Sequence, residues 1–355
     1  MPHRVTANAP VVPSKDMAPL PKNFAPVFFR NQFCTTIELP TKQKYPNVAG
    51  QVAIITGSNG GIGFDAAQQL LSLGLSHLIM GVRSLSRGNE AASKLKAAHP
   101  SAKIDVWQLD MESYESIQAF ARKCNETLSR IDIAILNAGI GPLTYQTVRS
   151  TGHELTLQVN HLGTVFLSIL LLPILKIKSP GMTPPHLTIV NSVTAHLVKF
   201  PNRRQRPLLA SFDNPKTFNP QEQYGVSKLI SQLFLVKLAE LVDPNDVIIN
   251  MVDPGLVKGT GLARDTKGMQ AVAAKMFFGI AGRPVARGAA TYVHAVLGHD
   301  KDSHGCFLMN SKIAPLSGWY YTEGKTVNDV IWNETLQELS FANAEQIIAS
   351  MQRTV

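Results

Sequence analysis

The sequence predicts an α/β protein with a single doubly wound domain: a mostly seven-stranded parallel sheet, flanked by an N-terminal arm and a C-terminal helical tail. From residue 51 onward, short apolar runs rich in β-branched residues alternate with segments of helical periodicity. Strands that alternate with helices of about ten or more residues imply right-handed βαβ crossovers and a parallel sheet covered on both faces. The first run, 51–56, ends in glycine turns, as expected of a buried parallel strand.

The predicted strands and helices follow one another in a regular order. Strands are predicted at 51–56, 77–82, 103–109, 132–137, 186–191, 247–252 and 305–309. Helices are predicted at 62–74, 87–98, 113–128, 152–177, 221–241 and across 266–298. A length of 355 residues suggests roughly two domains of about 150 residues, yet these elements need only one. The chain is therefore divided into an arm at 1–47, a domain at 48–340 and a helical tail at 341–355.

The arm is rich in proline and has no sustained periodicity. Within it, Phe24, Val27, Phe28, Phe29 and Phe33 form a short apolar patch. We expect this patch to pack against the domain. Contact with a membrane surface or with a second subunit is the alternative.

The composition excludes several classes of protein. Hydrophobic residues make up 45% of the chain and charged residues 17%, which excludes a disordered chain, a coiled coil and a collagen-like fibre. The longest aliphatic stretch, 166–177, has about twelve residues, whereas a bilayer span needs ~20. The first thirty residues lack the apolar segment of a secretory signal. We therefore expect neither a transmembrane helix nor secretion.

Charge and cysteine content point to a cytoplasmic protein. The formal net charge is +9, to which residues 1–50 contribute four through six basic and two acidic side chains. The sequence has no basic cluster with interleaved aromatic residues, so nucleic-acid binding is not expected. A basic balance suits a cofactor with several phosphates. Three widely spaced cysteines offer neither a disulfide framework nor the spacing of a metal site, which fits a reducing compartment.

Gly57, Gly61 and Gly63 occupy the turn between the first strand and the following helix, in the sequence TGSNGGIG (56–63). Glycines at these places permit a tight turn, close approach of the backbone to a pyrophosphate and close packing of helix on strand. The phosphates would lie at the helix N-terminus, where free amides and the macrodipole favour negative charge. An ordinary βα loop is the alternative to a dinucleotide site.

The end of the second strand distinguishes between two cofactors. A site for NAD places a carboxylate there to bind the ribose 2′-OH, but this chain has Val82 followed by Arg83. Arginine can pair with a 2′-phosphate, so NADP(H) is favoured over NAD(H). A solvated surface arginine is the alternative.

Further candidate residues follow the later strands. Asp110 ends the third strand, 137–139 (NAG) end the fourth, and Pro254 with Gly255 follows the sixth. The carboxyl ends of parallel strands form the ligand-binding edge of such a sheet. Asp110 could contact the adenine there, and the Pro-Gly turn could wall a nicotinamide pocket.

A tyrosine and a lysine form a proton-transfer constellation with a serine. Tyr224 and Lys228 are four residues apart on a predicted helix, so both can face one ligand. Ser192 ends the strand that precedes this helix. The pair alone is weak evidence, and its placement after this serine strengthens it.

With these motifs the chain resembles the short-chain dehydrogenase/reductase family, most of all the retinol-dehydrogenase-like members of filamentous fungi. The resemblance covers about residues 49–339 and implies a Rossmann-type domain. It rests on eight features in order: TGSNGGIG (56–63), Arg83, Asp110, NAG (137–139), Asn160, Ser192, YGVSK (224–228) and PG (254–255). It also implies a homodimer formed through the helices at 152–177 and 221–241, an interface that the arm could block or extend.

The resemblance implies roles for four catalytic residues. Tyr224 would be the general acid in carbonyl reduction, and Lys228 would lower the tyrosine pKa and hydrogen-bond the nicotinamide ribose. Ser192 would hold the substrate oxygen. Asn160 would order a water that relays protons to Lys228. The implied cofactor site comprises Gly57, Ser58, Asn59, Gly61, Ile62, Gly63, Arg83, Asp110, Met111, Asn137, Ala138, Gly139, Tyr224, Lys228, Pro254, Gly255, Val257 and Thr260.

The chain departs from the family pattern in three places. The paired serines at the end of the fifth strand are Asn191 and Ser192 here, so a register shift of one would place Val193 at the catalytic position. Thr260 follows the Pro-Gly turn one residue later than usual. The stretch 196–220 is long, and we expect it to form a flap that shapes substrate choice. Its arginines are either solvated or bind an acidic substrate group: Arg203, Arg204 and Arg206.

The resemblance and the intact residue set together predict an NADPH-dependent oxidoreductase. It would reduce a ketone or aldehyde of a lipophilic small molecule, or oxidise the alcohol, in fungal secondary metabolism. One alternative is a non-redox step, such as a cyclisation or an isomerisation, on a biosynthetic intermediate. The other is a cofactor-binding regulator without turnover.

Overall fold

An eight-stranded sheet forms the centre of the protein, in the strand order β3-β2-β1-β4-β5-β6-β7-β8. The computed structural model describes residues 11–179, 181, 183–259, 279 and 281–352. The strands are β1 (Val52–Thr56), β2 (His77–Val82), β3 (Lys103–Gln108), β4 (Ile133–Leu136), β5 (His186–Val190), β6 (Ile248–Asp253), β7 (Phe307–Met309) and β8 (Lys312–Ala314). Neighbouring strands are parallel except for β7 and β8. The predicted Rossmann-type fold is confirmed.

The structure adds one antiparallel edge strand, β8, to the seven predicted strands. Asn310 and Ser311 connect β7 to β8, and both have positive φ angles, of 54° and 61°. Two consecutive residues with positive φ are typical of a tight hairpin turn. Because β8 has only three residues, it is too short to show a recognisable alternating pattern.

Helices connect the strands and cover both faces of the sheet. They are α1 (Ala25–Phe33), α2 (Gly61–Leu73), α3 (Leu85–Ala98), α4 (Tyr114–Thr127), α5 (Leu155–Ile177), α6 (Pro220–Leu241), α7 (Val285–Leu297), the single turn α8 (Gly318–Tyr321), α9 (Gly324–Glu338) and α10 (Ala344–Ser350). Of the helices predicted across 266–298, the described residues contain α7.

The sheet separates two hydrophobic cores. Ala67 of α2, Ala91 of α3 and Tyr292 of α7 belong to one core. Ile117 of α4 and Phe166 of α5 belong to the other, together with residues from α6, α9 and α10. The strands are therefore buried on both faces, which is the reason for their continuous apolar runs.

Local sequence signals fix the ends of several helices. Ser113 accepts a hydrogen bond from the backbone of Ser116 and caps α4, and Asn219 caps α6 ahead of Pro220. Gly74 ends α2 in the left-handed conformation, with φ of 106°. Such N-caps and left-handed C-caps satisfy backbone groups that the helix itself leaves unpaired.

The helix α5 lies in the core. Among the described residues it is the one helix long and apolar enough to cross a membrane, and 89% of its most apolar window is buried inside the protein. This burial is expected of a core helix, which is apolar all round. Its first part, Gln158–Gly163, is a π-helix, a local irregularity that is frequent at functional sites.

The C-terminal helices cover α5 and α6. The ring of Trp332 on α9 stacks on Phe234 of α6, with ring centres 4.6 Å apart. The ring of Phe341, between α9 and α10, lies 5.5 Å from that of Phe166 on α5. These contacts cover part of α5 and α6, the two helices through which the resemblance implied a homodimer.

The arm contacts the domain through polar groups. Ser14 accepts a hydrogen bond from the backbone N–H of Phe307 at 2.9 Å. On α1, the Gln32 amide donates to the carbonyl groups of Leu256 and Ala281, each at 2.7 Å. The expected packing of the aromatic patch is only partial, because Phe29 and Phe33 are 60% and 50% exposed.

Candidate active site

The glycine turn between β1 and α2 leaves an open cradle at the helix N-terminus. Gly57 and Gly61 have φ angles of 66° and 58°, values that residues with a side chain rarely adopt. A Cβ at Gly60 or Gly61 would meet nothing within 4 Å. No side chain caps α2, so its first backbone N–H groups can bind an anion. The cradle therefore fits the pyrophosphate of a dinucleotide.

Two residues of this turn, Ser58 and Gly63, make contacts inside the protein. The Ser58 hydroxyl is buried and donates to the carbonyl of Ile55 at 3.0 Å, so it faces the interior. A Cβ on Gly63 would lie 2.5 Å from Nδ2 of Asn137. Gly63 thus permits the close packing of α2 on the end of β4, as the glycine spacing predicted. Ile62 and Asn59 lie partly buried in the same turn.

The segment after β4 is bound to the glycine turn. Asn137 donates through Nδ2 to the carbonyl of Thr56 at 2.9 Å and accepts a hydrogen bond from the Tyr292 hydroxyl at 3.2 Å. The backbone N–H of Ala138 donates to the Thr56 hydroxyl at 2.9 Å. A Cβ on Gly139 would lie 3.2 Å from Oδ1 of Asn160. These predicted residues therefore meet at one edge of the sheet.

The candidate adenosine end of the site contains an ion pair. Arg83 follows β2 and contacts the carboxylate of Glu112. The Asp110 carboxylate accepts a hydrogen bond from the backbone N–H of Glu112 at 3.1 Å, and Met111 is buried. Glu112 is a residue that sequence reasoning missed.

Ser192 and Tyr224 are brought together as the resemblance implied. The Ser192 side chain lies close enough to the Tyr224 hydroxyl to lower the pKa of that hydroxyl, and the Ser192 hydroxyl accepts a hydrogen bond from that of Thr194 at 2.9 Å. Ser192 is thus the residue at this strand end whose side chain interacts with the tyrosine.

Burial dominates the titration of the tyrosine. It raises the pKa of the Tyr224 hydroxyl to about 12; the hydrogen bond with Ser192 opposes this shift and the charge of Asp253 adds to it. This direction is opposite to the lowering that the resemblance implied. A physical reason is the place of Lys228, whose Nζ lies 5.9 Å from the centre of the Tyr224 ring and donates to the carbonyl of Val190 at 2.9 Å.

Lys228 and Asn160 lie near each other, since a Cβ on Gly139 would be 3.4 Å from Nζ of Lys228 and 3.2 Å from Oδ1 of Asn160. Both are buried, and burial lowers the pKa of Lys228 to about 8. Asn160, in the π-helical part of α5, accepts from the N–H of Ile140 at 2.9 Å and donates to its carbonyl at 2.8 Å. Its Nδ2 also donates to the Ser227 hydroxyl at 3.1 Å. The amide is therefore held in one orientation.

A buried carboxylate that the sequence analysis missed connects the loops after β5 and β6. Asp253 accepts from the backbone N–H of Val193 at 3.0 Å and from that of Gly255 at 3.1 Å. Burial raises its pKa, and these hydrogen bonds and Arg283 oppose the shift. The signal was present in the sequence, because Asp253 ends a largely apolar strand, interrupted by Asn250, directly before Pro254.

The segment after β6 is held in place by Arg283, which itself contacts α1. Val257 is buried and forms a parallel bridge with Arg283. The guanidinium of Arg283 lies against Gly255, where a Cβ would approach it to 2.7 Å. Arg283 donates to the carbonyl of Asn31 on α1 at 3.1 Å. Thr260, the last predicted cofactor residue, lies outside the described residues.

The stretch 196–220 is tied to the C-terminal part of the chain. Arg203 pairs with Glu323 at 3.0 Å and lies over the ring of Trp319. This engagement favours a structural role for Arg203 over recognition of an acidic substrate. Both ring nitrogens of His161 on α5 also have partners: Nδ1 shares a hydrogen bond with Ser231 and Nε2 shares one with Thr335.

Comparison with known proteins agrees with this geometry. Residues 51–196 match the short chain dehydrogenase family. The short chain dehydrogenase/reductase mfmJ of Annulohypoxylon moriforme is 50% identical over 343 residues, 96% of this chain and 99% of that protein. The short chain dehydrogenase virL of Hypocrea virens is 44% identical over 330 residues, 92% and 95% of the two chains.

Two solved structures share the fold. The NADPH-dependent 3-quinuclidinone reductase of Rhodotorula rubra has a TM-score of 0.57 at 23% identity and covers 77% of this chain and 94% of its own. The RhlG/NADP complex of Pseudomonas aeruginosa has a TM-score of 0.55 at 21% identity, with coverage of 78% and 99%.

Proposed function

Because this chain belongs to the short-chain dehydrogenase/reductase family, we propose that it is an NADP(H)-dependent oxidoreductase that reduces a ketone or aldehyde of a lipophilic small molecule, or oxidises the corresponding alcohol. The observation that carries the proposal is the proximity of the Ser192 side chain to the Tyr224 hydroxyl, whose pKa it lowers, with Lys228 on the same helix as the tyrosine. These side chains lie at the sheet edge where the glycine turn offers a dinucleotide cradle.

Tyr224 is the proton donor in the direction of reduction. A pKa of about 12 keeps its phenol protonated at neutral pH. The phenol can therefore donate to the carbonyl oxygen and release its proton as negative charge develops there. Ser192 holds the same oxygen from its position beside the tyrosine. A bound nicotinamide cofactor supplies the hydride.

Lys228 and Asn160 support the proton transfer. The positive charge of Lys228 favours the phenolate that remains when Tyr224 has given up its proton, and its ammonium group can hold the nicotinamide ribose. Asn160, fixed by Ile140 on both sides of its amide, orders a water that returns a proton towards Lys228. Gly57, Gly61 and the α2 N-terminus would hold the pyrophosphate.

The preference for NADP(H) is supported by Arg83, which directly follows Val82, the residue at the place where an NAD site carries a carboxylate. Its guanidinium can pair with a 2′-phosphate in two parallel hydrogen bonds. The solved structures with NADPH or NADP in their names, from Rhodotorula rubra and Pseudomonas aeruginosa, are consistent with this choice.

A lipophilic substrate is part of this proposal, and the loops that follow β4 and β5 carry two exposed apolar side chains, Leu143 and Leu197, at 38% and 51% exposure. The resemblance to fungal members suggests a place in fungal secondary metabolism. Free cysteines at 34, 124 and 306 suit the cytoplasm.

Since α9 and α10 cover α5 and α6, we propose that no homodimer forms through those two helices.

The decisive experiment compares Tyr224→Phe with wild type in NADPH oxidation with a panel of lipophilic ketones and aldehydes. We expect turnover to fall by at least about a hundredfold, the lower range for general acid catalysis, while NADPH binding stays within about twofold. Tyr114→Phe is the matched control, because it removes a tyrosine hydroxyl that donates to Glu338 and lies on a different helix from Tyr224. Full activity of Tyr224→Phe would refute the mechanism.

A further inference from the structure

The arginine proposed to bind the 2′-phosphate is already engaged by a carboxylate. Nη1 of Arg83 forms an ion pair with Oε1 of Glu112. The two side chains are 58% and 30% exposed. The pair therefore lies on the surface of the sheet edge, within reach of a ligand.

The backbone on both sides of this ion pair is held in place. The N–H of Glu112 donates to the Asp110 carboxylate at 3.1 Å, and its carbonyl accepts from the Ser150 hydroxyl at 3.4 Å. The carbonyl of Arg83 accepts from the Gln108 amide at 3.3 Å. The main chain that carries Arg83 and Glu112 is thus bound by the side chains of three neighbouring residues.

We propose that Glu112 is a specificity-determining residue that competes with the 2′-phosphate of the cofactor for Arg83. The proposal rests on the proposed function. When a phosphate arrives, the guanidinium either releases the carboxylate or holds two anions side by side, and both oppose binding. A cofactor without the 2′-phosphate leaves the ion pair intact. Arg83 makes the affinity for NADP(H) higher than that for NAD(H), and Glu112 therefore reduces the ratio of the two affinities.

The test measures binding of two cofactor fragments, adenosine 2′,5′-bisphosphate and adenosine 5′-monophosphate, by calorimetric titration of the full chain. We expect Glu112→Gln to bind the bisphosphate about threefold to tenfold more tightly than wild type does, because an exposed charge pair contributes modestly. Binding of the monophosphate should stay within about twofold. The gain should shrink as salt approaches about 1 M, where the Debye length is short.

Two further variants make the result specific. Glu115→Gln removes the same charge from the exposed first turn of α4, three residues away, and should leave bisphosphate binding unchanged. Arg83→Ala should weaken bisphosphate binding and leave monophosphate binding unchanged. Together they separate the competition at Arg83 from a general effect of net charge.

The possible outcomes are distinguishable. Unchanged or weaker bisphosphate binding in Glu112→Gln overturns the proposal, since a residue that only positions Arg83 would weaken binding when removed. An equal gain in Glu115→Gln also overturns it. If Arg83→Ala binds the bisphosphate as wild type does, the proposed cofactor preference fails as well. If Arg83→Ala weakens binding while Glu112→Gln has no effect, only the role of Glu112 fails.

Discussion

Gly63→Ala introduces a methyl group where the structure has no room for one. The added Cβ would lie 2.5 Å from Nδ2 of Asn137 and 3.0 Å from the carbonyl oxygen of Gly57. The Asn137 side chain would have to move away from α2. Its hydrogen bonds to the carbonyl groups of Thr56 and Gly57, at 2.9 and 3.2 Å, would then be lost.

The expected effect on stability follows from these contacts. Overpacking costs about 1–3 kcal/mol, and each lost hydrogen bond costs about 1 kcal/mol. The better helix propensity of alanine returns about 1 kcal/mol. We therefore expect the free energy of unfolding of Gly63→Ala to be about 2–4 kcal/mol lower than that of wild type.

Urea denaturation followed by circular dichroism measures this difference. Gly60→Ala is the matched control: its backbone is extended, with φ of 178°, and its Cβ would meet nothing within 4 Å. We expect this control to unfold within about 0.5 kcal/mol of wild type. Equal unfolding free energies for Gly63→Ala and Gly60→Ala would refute the close packing of α2 on the end of β4.

Two further predictions concern pH. His153 lies 2.9 Å from Asp213 and 3.4 Å from Glu338, and its hydrogen bond with Asp213 raises its pKa to about 9. Because the unfolded value is about 6.5, the stabilisation is complete below about pH 6.5 and is lost towards pH 9, with a magnitude of about 3 kcal/mol. His153→Gln should abolish this slope in denaturation experiments, and a slope that persists would contradict the assignment. Burial lowers the pKa of Lys228 to about 8, so kcat/KM should fall above that pH. Lys228→Arg should shift the fall to higher pH in any residual activity; an unshifted fall would assign it to another group.

The fold could be predicted because a parallel sheet buries both faces of its strands. β4 (Ile133–Leu136) and β6 (Ile248–Asp253) are buried along their whole length. β4 is therefore a short apolar run between helical segments, and β6 is apolar except for Asn250 and the terminal Asp253. The glycine turn could be predicted for a similar reason. Few residue types other than glycine can pack as closely as Gly63 does or adopt the positive φ of Gly57.

Contacts between side chains from distant parts of the chain could not be predicted in this way. Glu112 is 29 residues from Arg83, and Asp253 is 60 residues from Val193. Local periodicity carries no information about such pairs, because they depend on how neighbouring strands align at the sheet edge. The raised pKa of Tyr224 has the same origin, since burial by the folded chain dominates it.

The C-terminal helices have a consequence for how the protein responds to dilution. In an obligate homodimer, part of the apolar surface is buried only when two subunits meet, so stability depends on protein concentration. Here Trp332 and Phe341 bury Phe234 and Phe166 within a single chain. Under the proposal that no homodimer forms through α5 and α6, the unfolding midpoint should be the same in dilute and concentrated solutions.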